Sequence, residues 1–100
     1  MKGELVKILR EHKGEENAIT AREIANLIGV IDTEGRPVTR KLIRDYIESE
    51  GLPVGACTKG YYWLSNKDEL AKYHYSLVMR AEEILQRAKI VQENYFAHNL

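Results

Sequence analysis

The chain has 100 residues, 44% of them hydrophobic and 30% charged, and its fifteen basic and fifteen acidic side chains cancel to a formal charge of zero. That composition excludes a disordered, collagen-like or disulfide-rich chain and describes about one domain's worth of an ordinary globular protein. The charge balance excludes a nucleic-acid binder whose affinity comes from a basic body, so any such affinity has to come from local patterning.

The opening, Met1-Lys2-Gly3-Glu4-Leu5, enters an amphipathic pattern directly and lacks the apolar core of a signal peptide. No run approaches the eighteen apolar residues of a membrane span, and the expected location is the cytoplasm, with no membrane partner. Leu5, Ile8 and Leu9 share one face of a short helix over about residues 4–12, which Lys13-Gly14-Glu15-Glu16-Asn17 breaks. Ala18-Ile19-Thr20 is a brief extended piece. Thr20 and Glu23 have capping-box spacing, Ala21, Ile24, Ala25, Leu27 and Ile28 supply an apolar stripe, and Gly29 closes a second helix over about 21–28.

Val30 to Pro37 carries turn residues and a proline and is expected to be a loop. Thr39 then caps a third helix, about 39–50, with Leu42, Ile43, Tyr46 and Ile47 inward and Gly51 at its end. Two β-favouring runs, Leu52 to Cys57 and Tyr61 to Leu64, are joined by Thr58-Lys59-Gly60 as a hairpin. Tyr61 with Trp63, and Tyr62 with Leu64, are equally credible inward pairs. Cys57, the only cysteine, reads as a half-buried strand residue. One cysteine permits neither a disulfide nor a cysteine-based metal cluster, and His12, His74 and His98 show no ligand spacing, so no metal or cofactor is expected.

Ser65 or Asn66 can cap a last helix running to about residue 96, without an internal Gly or Pro. Leu70, Leu77, Ile84 and Val91 recur every seven residues, and His74, Ala81, Ala88 and Tyr95 form a second row, making a heptad seam. Val78 and Leu85 widen the seam, while Ala81 and Ala88 permit close helix approach. Such a helix reaches ~45 Å, too long to lie entirely on a head this small. The expected architecture is therefore mainly α (α+β): a head over 1–65, then a helix over 66–97 that forms a homodimer through Leu70, Leu77, Ala81, Ile84, Ala88 and Val91. The spacing alone is compatible with parallel, antiparallel and higher bundles.

Short strand, capped helix, loop, amphipathic helix and hairpin in this order resemble the winged helix-turn-helix family from about Leu5 to Leu64. Thr20 to Gly29 is similar to the first helix of that motif and Val38-Thr39-Arg40-Lys41-Leu42-Ile43-Arg44-Asp45-Tyr46-Ile47 to its recognition helix. Gly51 to Gly55 with Gly60-Tyr61-Tyr62 is similar to the wing of small phage and prophage regulatory or replication proteins. The long loop from Val30 to Pro37 departs from the family pattern and leaves the angle between the two motif helices unfixed. The resemblance implies double-stranded DNA as partner, with the third helix in the major groove.

The residues support that expectation independently. From Arg36 to Arg44 there are four basic side chains and no acid, with Thr39 at the cap, whereas Asp45, Glu48 and Glu50 make the far end acidic. Phosphates are favoured at a helix N-terminus and arginines can read guanine edges, so Arg40 and Arg44 are the candidate base readers, with Arg36, Thr39 and Lys41 beside them. Thr58 and Lys59 in the hairpin turn and Arg22 on the second helix are candidate backbone contacts. The bland alternative is a solvated face with Arg40 or Lys41 paired to Asp45 or Glu48. The aromatic run Tyr61-Tyr62-Trp63 is hairpin packing before it is a base-stacking platform. A protein-interaction module using the last helix is the competing function. An enzyme is not expected, since there is no phosphate loop, no HExxH, no nucleophile context at Ser49, Ser65 or Ser76, and no histidine beside Cys57 in sequence.

Overall fold

The computed structural model describes residues 2–32 and 34–98 and is mainly α with one small sheet. Met1, Thr33, Asn99 and Leu100 lie outside the described residues. The elements are α1 (Lys2–Glu11), α2 (Ala21–Ile28), α3 (Arg40–Glu50), β1 (Val54–Cys57), β2 (Gly60–Trp63) and α4 (Lys67–His98), with a 3-10 turn at Glu15–Asn17 after α1.

Leu5 and Leu9 of α1 are buried, as are Ile24 of α2, Ile43 and Tyr46 of α3 and Ile19 between α1 and α2, and these six side chains form the core cluster. α2 and α3 are delimited by chemistry their sequences carry. At the start of α2 the Thr20 hydroxyl accepts from the Glu23 N–H at 3.1 Å and the Glu23 carboxylate accepts from the Thr20 N–H at 3.2 Å, so the capping box is complete. At the start of α3 the Thr39 hydroxyl accepts from Leu42 N–H at 3.1 Å. α3 ends at Gly51, whose left-handed φ of 66° turns its N–H and that of Leu52 back onto carbonyls of the last turn. Burial, and then the Glu50 carboxylate, hold the Tyr46 phenol above its ordinary range.

β1 and β2 are antiparallel, with Gly55 opposite Tyr62 and Cys57 opposite Gly60. The far edge of β2 is also bonded. Ile19 and Tyr61 exchange two backbone hydrogen bonds of 2.8 Å, Trp63 N–H donates to the His12 carbonyl at 2.8 Å, and Gly14 N–H donates to the Trp63 carbonyl at 3.0 Å. β2 thus sits between β1 and the chain that leaves α1. The Arg10 guanidinium lies 5.4 Å from the centre of the Trp63 ring, a further tie between α1 and β2. Both candidate faces of the hairpin are used: Tyr61 and Trp63 pack on the core cluster, while Tyr62, only 3% exposed, lays its ring across Gly55.

The chain divides into two compact units after Leu70, inside α4. The first turn of α4 belongs with the head because Glu69 is bonded there: its carboxylate accepts from Glu15 N–H and Ser65 N–H, each at 2.9 Å. The Asn66 side chain caps the helix, accepting from Glu69 N–H at 2.8 Å. In the second unit α4 is a continuous helix, and no residue of α4 is buried. Among the described residues no helix is long and apolar enough to cross a membrane.

Candidate nucleic-acid interface

Burial of Ile43 and Tyr46 fixes which way α3 faces, and the helical period then sends Arg40, Lys41 and Arg44 outward; all three are exposed. Arg40 and Arg44 are one turn apart on the same face. The Tyr61 hydroxyl donates to the Arg40 carbonyl oxygen at 3.3 Å, which ties β2 to the first turn of α3. Lys59 and Thr58, exposed in the turn between β1 and β2, therefore precede a strand anchored to the helix that carries the arginines.

The basic cluster divides into paired and unpaired members. Lys41 Nζ contacts the Asp45 carboxylate at 2.7 Å, the spacing-four pair weighed in the sequence. Both side chains are more than half exposed, so this pair contributes only a few tenths of a kcal/mol and a phosphate can displace it. Arg36 is held more firmly. Its guanidinium contacts Asp32 at 2.9 Å and Glu34 at 3.0 Å, and the Asp32 side chain is 1% exposed.

Asp32 organises the whole connection between α2 and α3. Its Oδ1 accepts from Arg36 N–H at 2.8 Å and Glu34 N–H at 2.9 Å, and its Oδ2 accepts from Arg36 Nε at 2.9 Å. Around it, Asp32 N–H donates to the Arg36 carbonyl at 2.7 Å and Val38 N–H donates to the Val30 carbonyl at 2.9 Å, so the loop is a small hairpin-like turn. The Arg36 N–H holds the Asp32 carboxyl below its ordinary value of 3.8, against the upward push of burial, with the Glu34 N–H and the Arg36 guanidinium adding to the lowering.

A carboxyl whose folded value is depressed stabilises the fold fully above 3.8 and loses that contribution as pH falls through the folded value. Urea midpoints are thus expected to be insensitive to Asp32 near neutrality and to decline in the acid range, with Asp32→Asn flattening that acid limb. Superimposable limbs for the two proteins would remove Asp32 as the responsible group.

Arg22, Arg40, Arg44 and Lys59 remain. All are exposed, and none has a carboxylate partner among the described residues. Thr39 is occupied as the cap of α3. No protein-family model, curated protein or solved structure matches this chain. Asp32 is the site residue that the sequence reading missed. Its signal was present, because Asp followed three residues later by Gly is a favoured turn pattern, and Gly35 N–H does donate to the Asp32 carbonyl at 3.0 Å. Of the candidate contacts, Arg36 has the clearest structural task of its own.

Proposed function

We propose that the protein is a sequence-specific double-stranded DNA-binding protein of the winged helix-turn-helix kind, serving as a transcriptional regulator or phage accessory factor. The N-terminal half of α3 enters the major groove, the turn between β1 and β2 lies on the backbone, and α4 joins two copies. The observation that carries this reading is the pair Arg40 and Arg44, exposed one turn apart on α3 with no carboxylate among the described residues to neutralise either guanidinium. Two arginines so spaced suit bidentate reading of guanine edges, and the acids Asp45, Glu48 and Glu50 confine the contact to the first half of the helix. The backbone pairing of Ile19, just before α2, with Tyr61, after α3, braces the hairpin and supports the winged arrangement. A cytoplasmic setting suits a chain whose one cysteine, Cys57, is free.

Titration of random-sequence duplex DNA at low and moderate salt tests the proposal. Wild type is expected to bind, more weakly as salt rises, and Arg40→Ala/Arg44→Ala to lose about 10- to 100-fold in affinity. Absence of binding by folded wild-type protein at low salt would leave the second reading, a protein-interaction module, which the exposed apolar residues of α4 favour.

A further inference from the structure

The two rows of the α4 seam differ in size. Through the middle of the helix one row is large, Leu77 and Ile84, and the other is small, Ala81 and Ala88. A parallel pair in register sets every residue against its own copy. Leucine and isoleucine layers then alternate with alanine layers, and a helix spacing set by the large residues leaves gaps at the alanines.

An antiparallel pair sets one row against the other. Leu77 then meets the partner's Ala88 and Ala81 meets the partner's Ile84, with the reciprocal contacts following from two-fold symmetry. The four central layers each hold one large and one small side chain. Outward from them His74 meets the partner's Val91 and Leu70 meets the partner's Tyr95. One register serves every layer because the rows mirror each other about the midpoint between Glu82 and Glu83.

The edges of the seam sharpen the distinction. Val78 and Leu85, 41% and 70% exposed, lie along one edge, and Arg80 and Arg87 along the other. Antiparallel pairing brings the apolar edge of one copy onto the apolar edge of its partner, so Val78 packs near the partner's Leu85. It also brings the arginine edges together at the rim, where solvent screens them and Glu83 lies at helical spacing from both Arg80 and Arg87. Leu70, Leu77, Ile84, Val91 and Tyr95 are 41–62% exposed in the single chain. With Val78 and Leu85 they offer on the order of 700 Å² per copy, near the ~800 Å² a side of a standard interface.

We propose that α4 pairs with a second copy of itself in antiparallel orientation, with Leu77 and Ile84 of each copy seated on Ala88 and Ala81 of the partner subunit. This rests on the dimer assigned above and is independent of DNA binding. The test uses the full chain carrying Cys57→Ser (or Cys57→Ala, should the serine variant not fold) and Glu93→Cys, with a nitroxide on position 93. Circular dichroism checks the fold, sedimentation gives the mass, and pulsed electron paramagnetic resonance gives the label separation. The antiparallel pair separates the two labels by about 30 Å along the helix axis in addition to their lateral separation, while the parallel pair holds them at the same height and leaves only the lateral separation across two helices, roughly 20–25 Å. A dimer with the long distance supports the proposal. A dimer with the short distance preserves the dimer and overturns the orientation, and a folded monomer at tens of micromolar overturns both.

Discussion

Gly60→Ala is expected to destabilise the head by about 3–4 kcal/mol or to prevent its folding, a size reserved for substitutions that strain the backbone or collide with it. Gly60 has φ of 123°, outside the range an L side chain accepts readily, and a Cβ there would lie 2.2 Å from the Ile19 carbonyl oxygen and 2.7 Å from the Thr20 nitrogen. Those atoms are main chain and cannot swing aside. They belong to the segment bonded to Tyr61 at 2.8 Å in both directions, so making room means breaking the pairing between the hairpin and the start of α2. Gly51→Ala is the informative control. Gly51 also has positive φ, 66°, but among the described residues nothing beyond its own chain neighbours lies within 4 Å of the Cβ it lacks, so its replacement costs only the left-handed penalty, about 1 kcal/mol. Urea unfolding of both variants separates collision from strain, and equal losses would mean that the Ile19–Tyr61 pairing is not what Gly60 protects.

The second large effect is expected at Ile43. Its side chain is fully buried in the cluster formed with Leu5, Leu9, Ile19, Ile24 and Tyr46. Ile43→Ala removes methyl groups from a site bounded by three helices, and losses of about 2–5 kcal/mol are typical where the surroundings relax little. A head of this size has roughly 4–10 kcal/mol in total, so the variant is expected to be partly unfolded at physiological temperature. Leu27→Ala, at a residue 65% exposed, should shift the urea midpoint within about 0.5 kcal/mol of wild type. Because Ile43 lies between Arg40 and Arg44 in sequence, its variant should also weaken the DNA binding proposed for α3. That loss should diminish at low temperature where the head is folded, unlike the loss in Arg40→Ala/Arg44→Ala.

The helices were the most legible part of the sequence. Thr20 with Glu23 and Thr39 with Gly51 placed α2 and α3 to within a residue, since caps act through contacts three or four residues apart that sequence spacing exposes directly. α4 was readable from Asn66 and the absence of Gly and Pro. The hairpin was legible as an element but not in its packing. Two inward pairs competed because Gly55 gives Tyr62 a surface to lie on while Tyr61 and Trp63 meet the core, a three-dimensional fact without a local signature. The same limit applied to the candidate interface. Helical spacing singled out Arg40 and Arg44 as base readers with Arg36 and Lys41 beside them, but the task Arg36 has in the fold is visible only in the folded turn around Asp32, because that carboxylate collects donors from both the backbone and the guanidinium of one residue.

The central place of β2 governs when the head can close during synthesis. Its backbone partners are His12, Gly14 and Ile19 on one edge and β1 on the other, so the N-terminal segments stay unsatisfied until a strand some forty to fifty residues later is made. Helices α1 to α3 emerge first with their apolar faces bare, and the nascent chain is at its most adhesive just before Trp63 clears the ribosome. A chain stopped after α3 would hold all six residues of the core cluster and still lack the strand that locks it.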